Sequence, residues 1–448
     1  MPGHKLGALV PDSISPFLGA SMKLDLTELP GLDNLHAAAG CILESQMLAA
    51  RASGSDHCFY SVNGSTAGVM AAIASVAGPG ENVLFLNQFH LSAWRGLALC
   101  GANPVFIPPR FSYDDWEFGF PTADEVVARI RSFDGRIKAA FLTSPTYSGR
   151  VADVAKMAEV VHQEGIPLVV DEAHGAHLGI VPGMPKNSVQ AGADIVIQSV
   201  HKMLPGLTQT AWVHSQGKRV AHKRVSEWLG FLQSTSPSYL LMASLDAAQA
   251  WLRHDARAVM EKGLVNLQAM QAKLADCLRR DQDRDPFKSF VPIGSASESE
   301  RLVSILANRG IELEFANGFG ALGIHRLDAP LKQLMAFADG VLEWMGSYPG
   351  SDETMGILRD MMVRFAVPDL LVSPREAQFG DRKSVGVQNS VGHLLATMIV
   401  PYPPGVPLAW PGQRVDEDLR EAILTALEMG FNLSGVGPDG TVSILSPT

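Results

Sequence analysis

The sequence predicts an α/β fold in which helices cover a mostly parallel β-sheet. Two observations support this prediction: short apolar runs alternate with helical segments, and polar residues that could carry chemistry follow several of those runs. The chain has 448 residues, which is long for one simple core, because domains usually span about 100–200 residues. We therefore expect two domains, one of them large.

The N-terminal part of the chain changes character near residue 41. Residues 1–40 are rich in Gly, Pro and Asp, a composition typical of an irregular arm. Segments 41–53 and 67–78 have helical patterns, and a glycine closes the second one. Directly before that second helix, the sequence Asn63-Gly64-Ser65-Thr66 predicts a turn.

Six short apolar runs in the middle of the chain predict the strands of the sheet. They lie at 82–86, 104–108, 138–144, 167–172, 194–199 and 210–215. An amphipathic helix at 151–165 separates the third run from the fourth. Helices between successive strands indicate right-handed crossovers, which make the strands parallel. Active sites of such sheets gather at the carboxyl ends of the strands.

The C-terminal part has a different pattern. A long helical stretch at 244–281 leads to a mixed α/β region and then to a Pro-rich segment at 400–413. We place a domain boundary inside the long helix. The prediction is an N-terminal arm at 1–20, a large domain at 21–255 and a smaller domain at 256–448.

Composition and charge argue against several classes of protein. The net charge of −10 disfavours a nucleic-acid partner, because no basic excess is present to neutralise phosphates. The four cysteines form no CxxC pair and stand beside no His cluster, so neither a structural zinc site nor a disulfide framework is expected. The sequence has no signal-peptide pattern and no apolar run of the ~20 residues that a membrane span needs. We predict a soluble, cytoplasmic protein with no metal and no membrane partner.

Two segments carry candidate chemistry at the start of a predicted helix and the end of a predicted strand. Backbone N–H groups at a helix start make the Gly64-Ser65-Thr66 turn a candidate phosphate site, although a plain helix cap uses the same residue types. Asp171 ends an apolar strand, where it would either cap a helix or pair with a cation such as a pyridinium nitrogen. His174 and His177 follow, either as site residues or as structural ones.

Lys202 follows another apolar run, in the sequence Ser199-Val200-His201-Lys202. An unpaired ammonium at the end of a buried strand is costly, whereas a desolvated lysine amine is a good nucleophile for Schiff-base formation. The alternative is an exposed loop lysine. His90, which follows the first predicted strand, could stack on a planar cofactor or have a structural role.

The order of these segments is that of the fold-type-I pyridoxal 5'-phosphate enzymes: a phosphate turn, a stacking His, a strand-end Asp and, about 30 residues later, a strand-end Lys. The sequence resembles the ornithine/lysine/arginine decarboxylase family of that fold, in the short form without a wing domain. The resemblance implies a large domain with a mostly parallel seven-stranded sheet plus a smaller C-terminal α/β domain. The motifs that carry it extend over nearly the whole chain and are PGHK (2–5), DLTELPGLDNLH (25–36), NGST (63–66), FHLS (89–92), DEAHGAH (171–177), QSVHK (198–202), QSTSPSYLLMASLD (233–246), SPREA (373–377) and PYPPGVPLAWPG (401–412).

The resemblance implies a role for each candidate residue. Lys202 would hold pyridoxal 5'-phosphate as a Schiff base, and Asp171 would pair with the ring nitrogen. His90 would stack on one face of the ring, and Ala173 would pack against the other. The remaining cofactor contacts would come from Gly64, Ser65, Thr66, His174, Ser199 and His201, with Thr235 and Ser236 supplied by a second subunit. The protein would then be a homodimer or a dimer of dimers, with its active sites at the subunit interface.

The resemblance also implies the reaction, which is decarboxylation of a basic or modified basic amino acid to an amine and carbon dioxide, as in polyamine biosynthesis. The catalytic residues would be Lys202, His201, Asp171 and His90, and either Lys202 or His201 could return the proton. Aminotransferase, lyase or aldol-type chemistry is an alternative on the same scaffold, with Arg375 as the candidate for binding the α-carboxylate. A non-catalytic binding protein is the third alternative.

Two positions leave the side chain of the substrate open. Gln413 and Thr397 stand where the family typically has acidic residues. An acidic side chain is the natural partner for the distal cation of lysine, ornithine or arginine, because a buried charge needs a counter-charge. Glu314, Asp33 and Glu28 are the alternative sources of that negative charge.

Overall fold

A computed structural model has the α/β architecture that the sequence predicts. The structure describes residues 2–108, 110–112, 117–275, 283–350, 356, 360, 363–365, 367–401 and 407–446. Its strands are β1 (His57–Ser61), β2 (Asn82–Phe85), β3 (Asn103–Phe106), β4 (Phe111–Ser112), β5 (Glu117–Phe118), β6 (Ile137–Thr143), β7 (Leu168–Asp171), β8 (Ile195–Ser199), β9 (Ala211–Ser215), β10 (Lys288–Pro292), β11 (Phe315–Ala316), β12 (Gly320–Ile324), β13 (Arg382–Gly386), β14 (Val400–Pro401), β15 (Leu433–Ser434) and β16 (Thr441–Leu445).

Helices separate most of these strands. They are α1 (Ser15–Leu18), α2 (Cys41–Ser53), α3 (Gly64–Val76), α4 (Leu91–Cys100), α5 (Ala123–Ser132), α6 (Val154–Gln163), α7 (Val200–Met203), α8 (His222–Leu232), α9 (Tyr239–His254), α10 (Ala256–Lys273), α11 (Ala296–Ala307), α12 (Leu331–Met345), α13 (Pro374–Phe379) and α14 (Glu417–Glu428). Short 3-10 helices lie at Ser21–Lys23, Leu35–Ala37 and Val387–Asn389. None of the helices among the described residues is long and apolar enough to cross a bilayer.

The main sheet has seven strands in the order β1-β9-β8-β7-β6-β2-β3. The six strands predicted from the sequence are confirmed as β2, β3, β6, β7, β8 and β9, each within two residues at either end. The edge strand β1 was not predicted. Its partner β9 is antiparallel both to β1 and to β8, whereas β7 pairs with β8 and β2 pairs with β3 and β6 in parallel. The mostly parallel sheet of the predicted fold class is confirmed.

The long helical stretch predicted at 244–281 is two helices among the described residues. Helix α9 ends at His254, Asp255 follows, and α10 begins at Ala256. Residues 276–281 of the predicted stretch lie outside the described residues. The predicted domain boundaries stay predictions.

The chain divides into two compact units, of which the first comprises residues 1–76 and 154–258. In this unit, helix α3 packs on β8 and β9. Gly68 makes this close packing possible, since a Cβ at that position would lie 2.9 Å from side-chain carbons of Ile197 and Val213. The N-terminal end of α3 is thereby held against one face of the sheet.

The second compact unit comprises residues 77–153 and 259–448. It contains the parallel strands β6, β2 and β3 and a three-stranded antiparallel sheet in the order β10-β12-β11. Its C-terminal core is formed by buried aliphatic side chains such as Leu395, Leu408, Leu419, Ile423 and Ile444. Trp410 packs against aromatic rings of the same unit, with ring centroids 5.2 Å from Phe89 and 5.3 Å from Phe106.

Helix α2 begins without a capping side chain from its own N-cap residue Gly40, and Asp33 provides the cap instead. The Asp33 carboxylate accepts hydrogen bonds from the backbone N–H groups of Gly40 at 2.8 Å, Ala39 at 3.0 Å and Ile42 at 3.0 Å. Burial acts to raise the pKa of Asp33, but these hydrogen bonds outweigh it and lower the pKa. An ionised carboxylate at a helix N-terminus is favourable because it satisfies free N–H groups and the helix dipole.

We expect Asp33→Ala to reduce the free energy of unfolding by about 1–2 kcal/mol, because the cap is lost. The effect should shrink as the pH falls through the lowered pKa of Asp33, where the wild-type carboxylate loses its charge. Urea unfolding followed by circular dichroism would measure it. Asp12→Ala, at an exposed position of the N-terminal arm, is the control, and an equal loss in both variants would contradict the capping role.

Candidate active site

The predicted phosphate turn is the start of helix α3. Gly64 has a φ of +72° and donates its N–H to the carbonyl of Gln209 at 2.8 Å. The hydroxyl of Ser65 accepts a hydrogen bond from the hydroxyl of Ser199 at 2.7 Å, and Thr66 follows in the same first turn. The first N–H groups of a helix have no partner within the helix, so this helix start, with the Ser65 and Ser199 hydroxyls beside it, is suited to bind an anion.

Asp171 is the last residue of β7 and is 4% exposed. Strand β7 pairs in parallel with β8, with Asp171 opposite Ile197. Asp171 and Ser199, which ends β8, therefore lie at the same edge of the sheet. The Asp171 carboxylate accepts a hydrogen bond at 3.1 Å from the N–H of Ala173, which is itself buried.

Lys202 lies in the short helix α7, which directly follows β8. Lys202 is exposed. The sequence argument relied on the cost of burying an ammonium group, and that cost does not apply here. The helix turns the side chain out of the buried strand at the edge of the sheet. The Lys202 Nζ atom lies 3.0 Å from Nε2 of His174. The structure therefore brings the lysine together with the turn that follows Asp171.

His201 has a defined tautomer. Its Nδ1 atom lies 3.0 Å from the carbonyl oxygen of Thr210, which can only accept, so the proton of the ring is on Nδ1. The Nε2 atom of His201 is then the atom available for a ligand or for proton exchange. The neighbouring candidate His177 is fully buried.

His90 belongs to the second compact unit and is exposed. It is the N-cap of α4, and its Nδ1 atom accepts a hydrogen bond from the N–H of Ser92 at 3.2 Å and lies 2.9 Å from the Ser92 hydroxyl. The ring therefore has a structural function at the helix start. The predicted stacking on the cofactor stays a prediction.

Thr235 and Ser236 are both exposed. Their segment is anchored to its own chain on the N-terminal side, where the Gln233 side chain accepts a hydrogen bond from the N–H of Val62 at 2.7 Å. The Ser234 carbonyl accepts a further bond from Nε2 of His36 at 2.7 Å. The two candidate residues thus stand at the surface of the first unit, and their predicted contact with a second subunit stays a prediction.

Sequence reasoning missed Glu172, a fully buried acid next to Asp171. Its carboxylate accepts hydrogen bonds from the N–H of Ser188 at 2.7 Å, the Ser188 hydroxyl at 2.6 Å and the Gln198 amide at 2.6 Å. Burial raises the pKa of Glu172 to about 7, the hydrogen bonds oppose this, and the charge of Asp171 adds to it. The signal available in the sequence was the alternation of strand side chains, which sends two successive acids to opposite faces.

The three acids considered for the distal cation of the substrate differ in their surroundings. Asp33 is committed to the cap of α2. Glu28 is exposed and accepts a hydrogen bond from the Thr27 hydroxyl at 2.6 Å. Glu314 is also exposed and accepts one from the Tyr147 hydroxyl at 2.7 Å. Glu28 and Glu314 therefore keep accessible carboxylates.

The other positions singled out for substrate binding have local partners or none. The Gln413 side chain is buried and accepts a hydrogen bond from the N–H of Trp410 at 3.1 Å. The Thr397 hydroxyl is buried with no hydrogen-bond partner among the residues that the structure describes. Arg375 donates to the Leu99 carbonyl at 2.9 Å, in the last turn of α4, and its guanidinium lies 5.4 Å from the ring centroid of Phe379.

Family models match most of the chain. One described as Orn/Lys/Arg decarboxylase, major domain, matches residues 1–294, and one described as Orn/Lys/Arg decarboxylase, C-terminal domain, matches residues 359–433. An arginine decarboxylase of Halalkalibacterium halodurans is 32% identical over 98% of this chain and 92% of its own length. An arginine decarboxylase of Bacillus subtilis is 29% identical over 97% of this chain and 91% of its own.

Solved structures show the same fold. A lysine decarboxylase of Francisella novicida superposes with a TM-score of 0.83 and 17% identity, covering all of this chain and 78% of its own. At this identity the likeness supports the fold alone.

We expect Ser199→Ala to raise the dissociation constant of pyridoxal 5'-phosphate by about 10- to 100-fold, because a hydrogen bond to a charged group is worth about 1.5–3 kcal/mol. Titration of the cofactor-free protein, followed by absorbance, would measure it. Ser215→Ala is the matched control: Ser215 ends the antiparallel strand β9 and its buried hydroxyl is bonded to His222. Equal affinity in the Ser199 variant and the wild type would exclude Ser199 from the phosphate site.

Proposed function

The chain belongs to the Orn/Lys/Arg decarboxylase family and is a pyridoxal 5'-phosphate-dependent amino-acid decarboxylase, and we propose that its substrate is a basic amino acid, with arginine as the first candidate. The single observation that carries the reaction and its cofactor is the placement of Lys202, whose Nζ atom lies 3.0 Å from Nε2 of His174 and which follows the strand paired with β7 and Asp171. The names of the two curated relatives support arginine.

The chemistry of the residues present fits this cofactor. The hydroxyls of Ser65 and Ser199 and the first amides of α3 are suited to a phosphate. The buried carboxylate of Asp171 is suited to a protonated ring nitrogen, and the amine of Lys202 to an aldehyde. When bound, pyridoxal 5'-phosphate supplies an electron-accepting ring that stabilises the charge left on Cα as carbon dioxide departs.

Asp171 holds a positive charge in place in this proposal. It is buried, accepts one backbone hydrogen bond and sits at the carboxyl end of a central strand, so its position is fixed before any ligand arrives. A carboxylate fixed in this way stabilises a neighbouring cation without having to reorganise. Replacing the carboxylate by an amide would remove that charge while preserving the shape.

In this proposal, protons are exchanged between Lys202 and His174. Two nitrogens 3.0 Å apart can share one hydrogen bond, so His174 Nε2 can accept a proton from Lys202 Nζ when the amine must be neutral, and return it later. His201, with its proton fixed on Nδ1 by Thr210, presents Nε2 as a second acid–base atom. Lys202 and His201 are thus the two candidates for returning a proton to Cα.

The alternative reactions receive no support from the candidate residues. An aminotransferase of this fold needs an arginine for the α-carboxylate, and Arg375 instead binds the Leu99 carbonyl at the end of α4. A non-catalytic binding protein would not need both Lys202 and Asp171. Of the acids that could receive the distal cation, Glu28 and Glu314 keep accessible carboxylates.

We also propose that the protein is a homodimer formed through the first compact unit. Exposed apolar side chains are frequent there, whereas monomers rarely expose large apolar patches. Several lie on the N-terminal arm, for example Leu9 at 74% and Phe17 at 82% exposed. Leu43 and Met47, four residues apart on α2, form a pair on one side of that helix.

For the reaction, we expect the wild-type enzyme to release carbon dioxide from arginine, and Lys202→Ala to lower the rate by at least about a thousandfold, because a group used in the transition state is lost. The variant should also lose the visible absorption band of the lysine-bound cofactor. Trapped carbon dioxide and absorbance spectra are the measurements. Lys223→Ala, at an exposed lysine paired with Glu227 on α8, is the control.

Lysine and ornithine should be tested beside arginine. Release from one of these two alone would keep a basic substrate but change its identity. No carbon dioxide from any of the three would refute the basic-substrate proposal.

For the assembly, we expect light scattering to give twice the mass of one chain. The double variant Leu43→Glu/Met47→Glu should shift the protein toward the monomer, because four charges per dimer would be buried without partners. Val265→Glu, at an exposed valine of α10 in the second unit, is the control. A dimer that resists the double substitution would place the interface elsewhere.

A further inference from the structure

The buried acid Glu172 lies on the face of the sheet opposite to the site. Asp171 is paired with Ile197, whose side chain packs on α3 through Gly68, so Asp171 points to the α3 face. Side chains alternate along a strand, which sends Gln198 to the other face. The Glu172 carboxylate accepts a hydrogen bond from Gln198 at 2.6 Å and therefore lies on that second face.

Glu172 ends a chain of hydrogen-bonded side chains that runs through the core. The Gln198 amide donates to Glu172 through Nε2, so its Oε1 atom accepts from Nε2 of His214 at 3.2 Å. His214 Nδ1 lies 3.0 Å from the hydroxyl oxygen of Ser55, which also donates to the His57 carbonyl at 3.1 Å. Burial lowers the pKa of His214 to about 3, so the imidazole stays neutral and carries its one proton on Nε2.

The backbone of Glu172 also fixes the turn that carries the site residues. Its N–H donates to the Ile197 carbonyl at 2.8 Å, and its own carbonyl accepts from Gly175 at 2.8 Å. With the two bonds from Ser188, the residue is held by β8, by the turn and by the loop before β8. The hydrogen bonds to its side chain favour the ionised form of Glu172 and oppose the effect of burial on its pKa.

We propose that Glu172 is a positioning residue whose ionised carboxylate acts through Asp171 and strengthens the binding of the cationic ring of the cofactor. This inference rests on the proposed role of Asp171. In the cofactor-free protein two neighbouring buried carboxylates repel each other, and a cation bound to Asp171 relieves that repulsion. The titratable groups linked to Glu172 are Asp171, which precedes it, and His214, which is neutral over the range of interest.

The charge makes the proposal testable by pH. The pKa of Glu172 is about 7 because burial raises it, so the residue is charged at pH 8 and mostly protonated at pH 6. At pH 8 the full-length Glu172→Gln variant should bind pyridoxal 5'-phosphate about tenfold more weakly than wild type. At pH 6, where both side chains are neutral, the two dissociation constants should agree within about twofold. The cofactor also titrates between these pH values, and this affects both proteins equally. The ratio of the variant's dissociation constant to that of the wild type, taken at one pH, therefore does not contain that effect.

Asp194→Asn is the matched control. Asp194 is also a buried acid of the first unit, bonded to the N–H of Leu168 at 2.8 Å and to His162 at 2.7 Å, but it precedes β8 at the opposite edge of the sheet. Its variant should show the same affinity ratio at both pH values. A Glu172→Gln defect that is equal at pH 6 and pH 8, or no defect at pH 8, would overturn the proposal.

A second variant decides the question if Glu172→Gln does not fold. Ser188→Ala keeps the Glu172 carboxylate and removes one hydrogen bond to it. Losing a hydrogen bond to the ionised form raises the pKa of Glu172. The increase in cofactor affinity that accompanies ionisation of Glu172 should therefore occur at a higher pH than in the wild type. An unchanged pH profile would overturn the proposal. Because these titrations use no amino acid, a failure here is distinguishable from a failure of the proposed substrate or reaction.

Discussion

The candidate site depends on one constraint, the parallel pairing of β7 with β8. In this register Asp171 stands opposite Ile197, so both strands end at the same edge of the sheet. The buried acid that ends β7 and the short helix that carries Lys202 after β8 are thereby brought to one place. A slip of one residue would turn Asp171 to the other face, because strand side chains alternate. The pairing of β7 with β8 therefore determines that Asp171 is the acid that faces the site.

The same alternation gives the two faces of these strands different functions. On the α3 face lie Asp171, Ser199 and the hydroxyl of Ser65. On the opposite face lie Glu172, Gln198 and His214, joined by hydrogen bonds within the core. Polar groups buried at this depth are tolerated because each has a partner. The second face can therefore influence the first through the charge of a single acid.

Helix termini supply much of the remaining organisation. Asp33 caps α2 across a distance of several residues in sequence, and His90 caps α4. At the start of α3 a glycine at positive φ lets the chain turn into the helix, whose first N–H groups have no partner within the helix. The same physical need, to satisfy the free N–H groups at a helix start, thus gives two structural caps and one candidate anion site.

The sequence by itself determined the fold class, six strands of the main sheet and the order of the chemical groups along the chain, because short-range periodicity and turn residues express local backbone preferences. It also supplied Lys202 and Asp171 as candidates, since polar residues directly after apolar runs are visible without a structure. Only the tertiary structure decided that Lys202 is exposed and bonded to His174, that Asp33 is used as a helix cap, and that Arg375 binds the end of α4. It alone revealed the chain of hydrogen bonds from Ser55 to Glu172, whose bonded partners lie 159, 16 and 26 residues apart in the sequence. Such partners are set by strand order and register, which are long-range properties that no local pattern encodes.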